Sequence, residues 1–310
     1  TKDSLAAREL YDEGFQIPPM KLVEAGAVND TLTRLIAENV RGGEQVLGDL
    51  FAFVGANAVG ARRLAAILDD YAMSDVAPLA HVVQDLSETA MRRAVAALPD
   101  GTYRGESRFN PLGTPLALGV EIRIEGDRLA VDFPEAPPVF DRGGLNCTMS
   151  YTAAHATYPL KCLLTPQVRG NAGCYRAFTV RAPRGSALNA EKPASVNVRT
   201  RTGWYIGPAI QAALADALPE AVQAPSGLPM SITFFGESPE GRFADVFMLG
   251  GGQGASAAGD GRGALIFPSS AANTSVEMFE LRAPVRVHEK AFLPDSGGPG
   301  RWRGGLGLLY

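Results

Sequence analysis

Apolar residues recur at spacings of three and four through most of the first hundred positions. Asn29-Asp30-Thr31 reads as a helix start, with Leu32, Leu35 and Ile36 on one face. From about Val46 to Tyr71, Leu50, Val54, Asn57, Ala61, Leu64 and Leu68 predict one long helix, with Asn57 held in its seam by a structural hydrogen bond. A third helix covers about Leu86 to Leu98 and stops at Pro99-Asp100-Gly101.

The period then changes. Leu118, Val120, Ile122 and Ile124 alternate with Gly119, Glu121, Arg123 and Glu125, and Gly126-Asp127 turns the chain into Leu129–Phe133, which predicts a β-hairpin. Ser150 to Leu164 is apolar and helix-like. Further strands are predicted at Phe178–Val180, Ser195–Thr200, Ser231–Phe235 and Ala244–Leu249, with a helix from about Ile206 to Leu218. Leu308-Leu309-Tyr310 reads as one more strand beginning. Helices first and strands later, without regular βαβ alternation, predict an α+β fold. Residues 1–100 form its mainly helical part, and residues 101–310 a β-rich, Gly-rich body continuous with it.

The chain has 310 residues, 46% hydrophobic and 20% charged, with a net charge of −4. That suits a globular protein acting on small molecules or proteins, and gives no basic field for nucleic acid. No continuous apolar run approaches membrane-spanning length, which predicts no membrane association. Cys147, Cys162 and Cys174 are too few and scattered for a disulfide framework, as expected of a cytoplasmic protein. The opening on Thr1 and the apolar finish suggest a fragment or a processed product. Thr1 as a self-exposed N-terminal nucleophile is the less economical reading.

Several short motifs invite chemistry and fail on context. Thr152-Ala153-Ala154-His155 and Asp295-Ser296-Gly297-Gly298-Pro299 imitate the signatures of serine proteases. A helical front and a chain that stops soon after Ser296 leave no room for a double barrel. Gly252-Gln253-Gly254 follows a predicted strand, but no helix follows it, and the chain has no Gly-Lys-Ser/Thr loop. A tight loop whose backbone amides hold an anion or substrate is the better expectation. Cys147, His155, Cys162 and Cys174 share a short window without the close ligand pairs of structural zinc, so buried thiols and a satisfied histidine are expected.

A longer set of segments fits one family along the whole chain. Glu13-Gly14-Phe15-Gln16-Ile17-Pro18-Pro19-Met20-Lys21-Leu22 opens it, followed by Asn39-Val40-Arg41, Gly48-Asp49-Leu50 and Leu98-Pro99-Asp100-Gly101-Thr102-Tyr103. Asn146-Cys147-Thr148 and Ala182-Pro183-Arg184-Gly185-Ser186 continue it. The end adds Gly250-Gly251-Gly252-Gln253-Gly254, Asp260-Gly261, Asn273-Thr274-Ser275-Val276-Glu277 and Asp295 through Gly307. This set resembles the hydantoinase B/oxoprolinase family, which also takes in the α-type subunits of acetone and acetophenone carboxylases. Pro134-Glu135-Ala136 stands where the family often has Gly-Thr, and Thr274-Ser275 where it often has proline. Both departures bear on substrate more than on membership.

The resemblance implies a fragment of a larger fold, from the B-type subunit of an ATP-dependent enzyme that opens a lactam or hydantoin ring. An A-type subunit would hold ATP and Mg. A divalent metal, zinc or manganese, would be held by an Asp- and His-rich segment upstream of Glu13 that this sequence does not contain. A ketone carboxylase subunit and a non-catalytic scaffold are the alternatives. The residues expected to bind substrate or support the metal centre are Glu13, Asn39, Arg41, Asp49, Gly251, Gly252, Asp260, Asn273, Glu277 and Arg301. Glu277 and Glu280 are expected on opposite faces of a strand, and Arg301 and Arg303 on one face, suited to a carboxylate or phosphate.

Overall fold

The computed structural model describes residues 6–239, 241–269 and 271–309. Thr1 and Tyr310 lie outside the described residues. The helical front comprises α1 (Leu10–Glu13), a small ribbon of β1 (Val23–Glu24) and β2 (Ala27–Val28), then α2 (Asp30–Asn39), α3 (Gly43–Asp70) and α4 (Ala77–Ala96). Asn29 caps α2, its side-chain oxygen accepting from Leu32 N at 3.1 Å. The corner into α3 is a close backbone approach: a Cβ at Gly43 would lie 2.6 Å from the Ala37 carbonyl oxygen. The long helix begins three residues earlier than the sequence predicts, and α4 begins nine earlier.

The seam foreseen along α3 is not packed. None of its residues is buried, and Asn57 is exposed. Contact with α2 comes from one stripe in its first half, where Gly43, Val46, Leu47, Leu50 and Val54 are half-buried. By length and composition α3 is also apolar enough to cross a membrane, with none of that stretch buried. Asp49, Arg62 and Arg63 interrupt the apolar residues, which is why no such run is legible in the sequence.

The body is built on a four-stranded sheet ordered β3 (Gly101–Phe109), β4 (Leu116–Glu125), β5 (Arg128–Asp132) and β6 (Phe178–Arg181). The first three form an antiparallel meander with Tyr103 opposite Ile122 and Ile122 opposite Val131. β6 joins β5 in parallel, Val131 opposite Val180, after the chain has crossed through α5 (Met149–Leu164). Leu118, Val120, Ile122 and Ile124 of β4 are buried, with Leu129 and Val131 of β5, against Ala156 and Leu160 of α5. They also meet Ile206, Ala209 and Ile210 of α7 (Ile206–Ala213), which follows the short α6 (Arg199–Gly203).

The predicted strand at Ser195–Thr200 is a loop running into α6. Side chains from distant segments take its backbone hydrogen bonds, so no ladder forms. Beyond α7 a long hairpin, β7 (Met230–Ser238) and β8 (Gly241–Leu249), carries α8 (Val276–Arg282). Phe279 of α8 is buried with its ring 4.7 Å from Phe247 and 5.2 Å from Phe234. The final pair is β9 (Ala291–Phe292) with β10 (Leu308–Leu309), so the strand foreseen at Leu308 forms.

Candidate functional site

The glycines after β8 form a wall of backbone packed on backbone. A Cβ at Gly251 would lie 2.5 Å from Leu228 O, one at Gly252 2.4 Å from Gly305 O, and one at Gly261 2.7 Å from Gly305 N. Side chains at these points would hold the segments apart, so glycine is what lets residues 224–228, 250–254, 261–263 and 303–307 lie in contact. Hydrogen bonds close the wall. Gly227 N donates to Gly252 O, Gln253 N to Arg262 O, Gly305 N to Gln253 O and Gly261 N to Arg303 O, all at 2.8–2.9 Å.

Polar side chains of the expected site brace this wall. Asn273 accepts from Gly250 N through Oδ1 and donates through Nδ2 to Ala264 O, both at 2.6 Å. Asp260 accepts from Arg303 N at 2.7 Å, and Ser226 Oγ accepts from Gly254 N at 3.1 Å. The amides of Gly250, Gln253 and Gly254 are therefore occupied. Gly251 and Gly252 carry the two amides of this loop with no acceptor among the described residues. Beside the wall lies an apolar-sided groove of about 510 Å3, bordered by Ser107, Tyr205, Gln211, Gln223, Ala224 and Ser256.

The remaining expected residues are not brought to that wall. The Glu13 carboxylate accepts instead from Val196 N at 3.0 Å and Asn197 N at 2.6 Å. It thereby ties the N-terminal segment to the loop that replaces the predicted strand. We expect Glu13→Ala to destabilise the protein by about 1–3 kcal/mol, since two amides lose a charged acceptor; a chemical-denaturation midpoint equal to the parent's would count against this tie. Asn39 donates to Leu35 O, within its own helix. The Arg41 guanidinium sits 4.6 Å from the Phe235 ring centre, joining the α2–α3 corner to the hairpin. Asp49 is exposed on α3.

Two expectations about side-chain direction are corrected. Glu277 and Glu280 lie in α8, not a strand, because Ser275 caps a helix by accepting from Met278 N. Three apart on a helix, they share a side. Glu277 accepts from the Ser275 hydroxyl, which holds its carboxyl below the usual range, while Glu280 accepts from Val287 N. Arg301 and Arg303 lie in irregular chain and diverge. Arg301 sits over the Trp302 ring, and Arg303 pairs with Asp295 at 3.2 Å.

Ser296, in the protease-like motif, donates to Leu293 O and accepts from Gly307 N, so its hydroxyl is committed to the turn. Among the described residues no three His, Cys, Asp or Glu side chains come together as a metal site requires. These residues do not fit a metal, and the chemistry attributed to this chain runs through none.

Cys147 and His155, which the sequence grouped with two further cysteines, meet Tyr151 and Arg199 instead at the start of α5. The Tyr151 and His155 rings are 4.3 Å apart, the Arg199 guanidinium sits 5.2 Å from the Tyr151 ring, and Cys147 Sγ reaches Arg199 O. Burial pushes the Cys147 thiol up to about 12, so it stays protonated and is no nucleophile. Burial also lowers the His155 pKa, opposed by a backbone hydrogen bond to Gly203. An unfolded chain protonates this histidine below about pH 6.5, before the folded one does. Stability from His155 is thus present above that value and lost as the pH falls toward its lowered folded pKa. We expect the thermal midpoint to drop less between about pH 7 and pH 5 in His155→Gln than in the parent; equal slopes would contradict the buried neutral imidazole.

The sequence profile of hydantoinase B/oxoprolinase matches residues 3–310. The chain belongs to this family. It is 30% identical to the beta subunit of the caprolactamase of Pseudomonas jessenii, over 97% of this chain and 54% of that protein. It is 28% identical to a protein described as the B-type subunit of a D-/L-hydantoinase in Pseudomonas sp. strain NS671, over 98% of this chain and 54% of that one. The chain spans about half the length of these relatives. Among solved structures, the ATP-dependent caprolactamase of Pseudomonas jessenii superposes with a TM-score of 0.84 at 29% identity, over 99% of this chain and 54% of that one. A nucleotide-free acetone carboxylase gives 0.82 at 16% identity, over 98% of this chain and 44% of that one. That second likeness shows the fold alone.

Proposed function

We propose that this chain is part of the B-type subunit of an ATP-dependent amidohydrolase that opens a cyclic amide. The observation that carries the reading is the superposition on an ATP-dependent caprolactamase over 99% of the chain at 29% identity. Ring opening adds water across the C–N bond: the carbonyl carbon takes the hydroxyl and the nitrogen takes a proton. A lactam carbonyl is a poor electrophile and its nitrogen a poor leaving group, so the reaction gains from donors that hold the developing oxyanion. The amides of Gly251 and Gly252 are the groups of this chain that suit that role. Asn273, Asp260 and Ser226 keep the loop rigid, and those two amides keep their donors unclaimed by any described acceptor, Gly251 half-buried and Gly252 buried.

Coupling to ATP falls to a partner, an A-type subunit, in keeping with both bacterial relatives being named as single subunits of their enzymes. A divalent metal belongs to polypeptide beyond these residues, and the cytoplasm is the compartment that three free cysteines favour. The ketone-carboxylase alternative rests on the acetone carboxylase fold, at 16% identity.

The test is to purify the chain with whatever co-purifies from its native host and assay 5-oxoproline, hydantoin, caprolactam and acetone with ATP. Lactam-dependent ADP release with appearance of the ring-opened amino acid is the expected result. Turnover of acetone with bicarbonate and of no lactam would replace the reading, and an intact complex active on none would end it.

A further inference from the structure

Helix α3 has apolar residues on every side and almost no neighbours. At about 1.5 Å per residue its 28 residues reach roughly 42 Å, yet beyond Val54 only Leu68 is even half-buried. A helix apolar all round is normally a covered one. A side roughly a third of a turn round from the α2 stripe carries Asp49, Phe53, Ala56, Gly60, Arg63 and Ile67, at alternating steps of four and three. That is the repeat of a helix-pairing seam. Phe53 is 66% and Ile67 46% exposed. Neither Asp49 nor Arg63 has an ion-pair partner among the described residues, and a Cβ at Gly60 would meet nothing within 4 Å. No described neighbour requires position 60 to be small.

We propose that this seam is covered by α3 of a second copy, in an antiparallel pair crossing near Ala56. That one register meets two independent demands. Asp49, seven residues before the crossing, comes opposite Arg63, seven residues after it, and the bulky Phe53 comes opposite the Val59-Gly60 step, where glycine leaves it room. A two-fold axis repeats both matches. A parallel pair would set Asp49 against Asp49 and Arg63 against Arg63. A lipid occupant would bury both charges without partners.

The test is light scattering on the 310-residue chain during gel filtration at micromolar concentration, with circular dichroism to confirm folding. The parent is expected at twice the monomer mass. Asp49→Arg and Arg63→Asp, both at exposed positions, are each expected to weaken the dimer by about tenfold or more through like-charge opposition, and the double variant to recover it. A monomeric parent overturns the proposal, and so does a dimer indifferent to both reversals. Transfer of α3 into phosphatidylcholine vesicles with loss of the dimer does the same. A monomer would leave this face to the additional polypeptide of the longer relatives without touching the amidohydrolase reading, which the turnover assay tests separately.

Discussion

Alanine at Gly252 is expected to leave little folded protein. The residue has φ of +88°, where an L side chain is strained, and its Cβ would lie 2.4 Å from Gly305 O and 2.9 Å from Leu306 O. Those are backbone atoms held in place by the hydrogen bonds of Gly305 N to Gln253 O and Ala264 N to Leu306 O, so no side chain can rotate to make room. Overpacking and left-handed strain together cost about 4 kcal/mol or more. The control is Gly298→Ala in the same glycine-rich region, where a Cβ meets nothing within 4 Å and the change should stay within about 0.5 kcal/mol. Denaturant midpoints of the two variants check the claim. A Gly252→Ala protein as stable as Gly298→Ala would mean that the wall is not closed as described.

The second large effect is expected at Asn146, which is fully buried. Its Oδ1 accepts from Phe140 N at 2.8 Å, and its Nδ2 donates to Phe140 O and Ser195 O, both at 3.0 Å. Beside it, Ser195 Oγ accepts from Gly144 N and Thr202 donates to Leu145 O. One amide side chain thus pairs three backbone groups, one on fully buried Ser195 and two on half-buried Phe140. Asn146→Ala should cost about 2–4 kcal/mol, because the buried Ser195 carbonyl and the half-buried groups of Phe140 all lose their partner. Asn146→Asp keeps the acceptor, loses the donor and buries a charge, so it should be no milder. Thermal unfolding of both variants decides; a loss under about 1 kcal/mol for alanine would show that the three groups find other partners.

The elements legible from sequence are those whose inward faces are plainly apolar. The alternation at Leu118–Ile124 and the Gly126-Asp127 turn yield the central hairpin with its burial pattern. β3 is silent in the sequence because its inward face holds Gly105 and Ser107. Those positions are small because α7 presses on them: a Cβ at Gly105 would lie 2.3 Å from Ala209 O, and Ser107 donates to Tyr205 O. At Ser195–Thr200 the residue pattern suits a strand, but Glu13 and Asn146, distant in sequence, take its backbone groups. After Ser275 the residues suit a strand by composition, although the serine cap and Glu277 in the first turn signal the helix that forms.

The candidate site divides in the same way. That Gly250–Gly254 forms a tight loop follows from composition. Which two of its amides find no acceptor among the described residues does not, since that depends on Asn273, Arg262 and Ser226 reaching it from elsewhere. Likewise, no local signal in Glu13-Gly14 announces that its carboxylate spans to residues 196 and 197. The exposure of α3 is a property of what surrounds it, and periodicity alone makes the same prediction for a packed helix and a bare one.

The order in which the ribosome releases the chain bears on the glycine wall. Residues 224–264 are synthesised well before residues 303–307, yet Gly252, Gly261 and Arg262 reach their final contacts only against Gly305. The sheet of β3–β6 can close while translation continues, whereas the loop bearing Gly251 and Gly252 must wait. A nascent chain therefore holds the sheet before it holds the glycine wall, which closes only once residues 303–307 are in place.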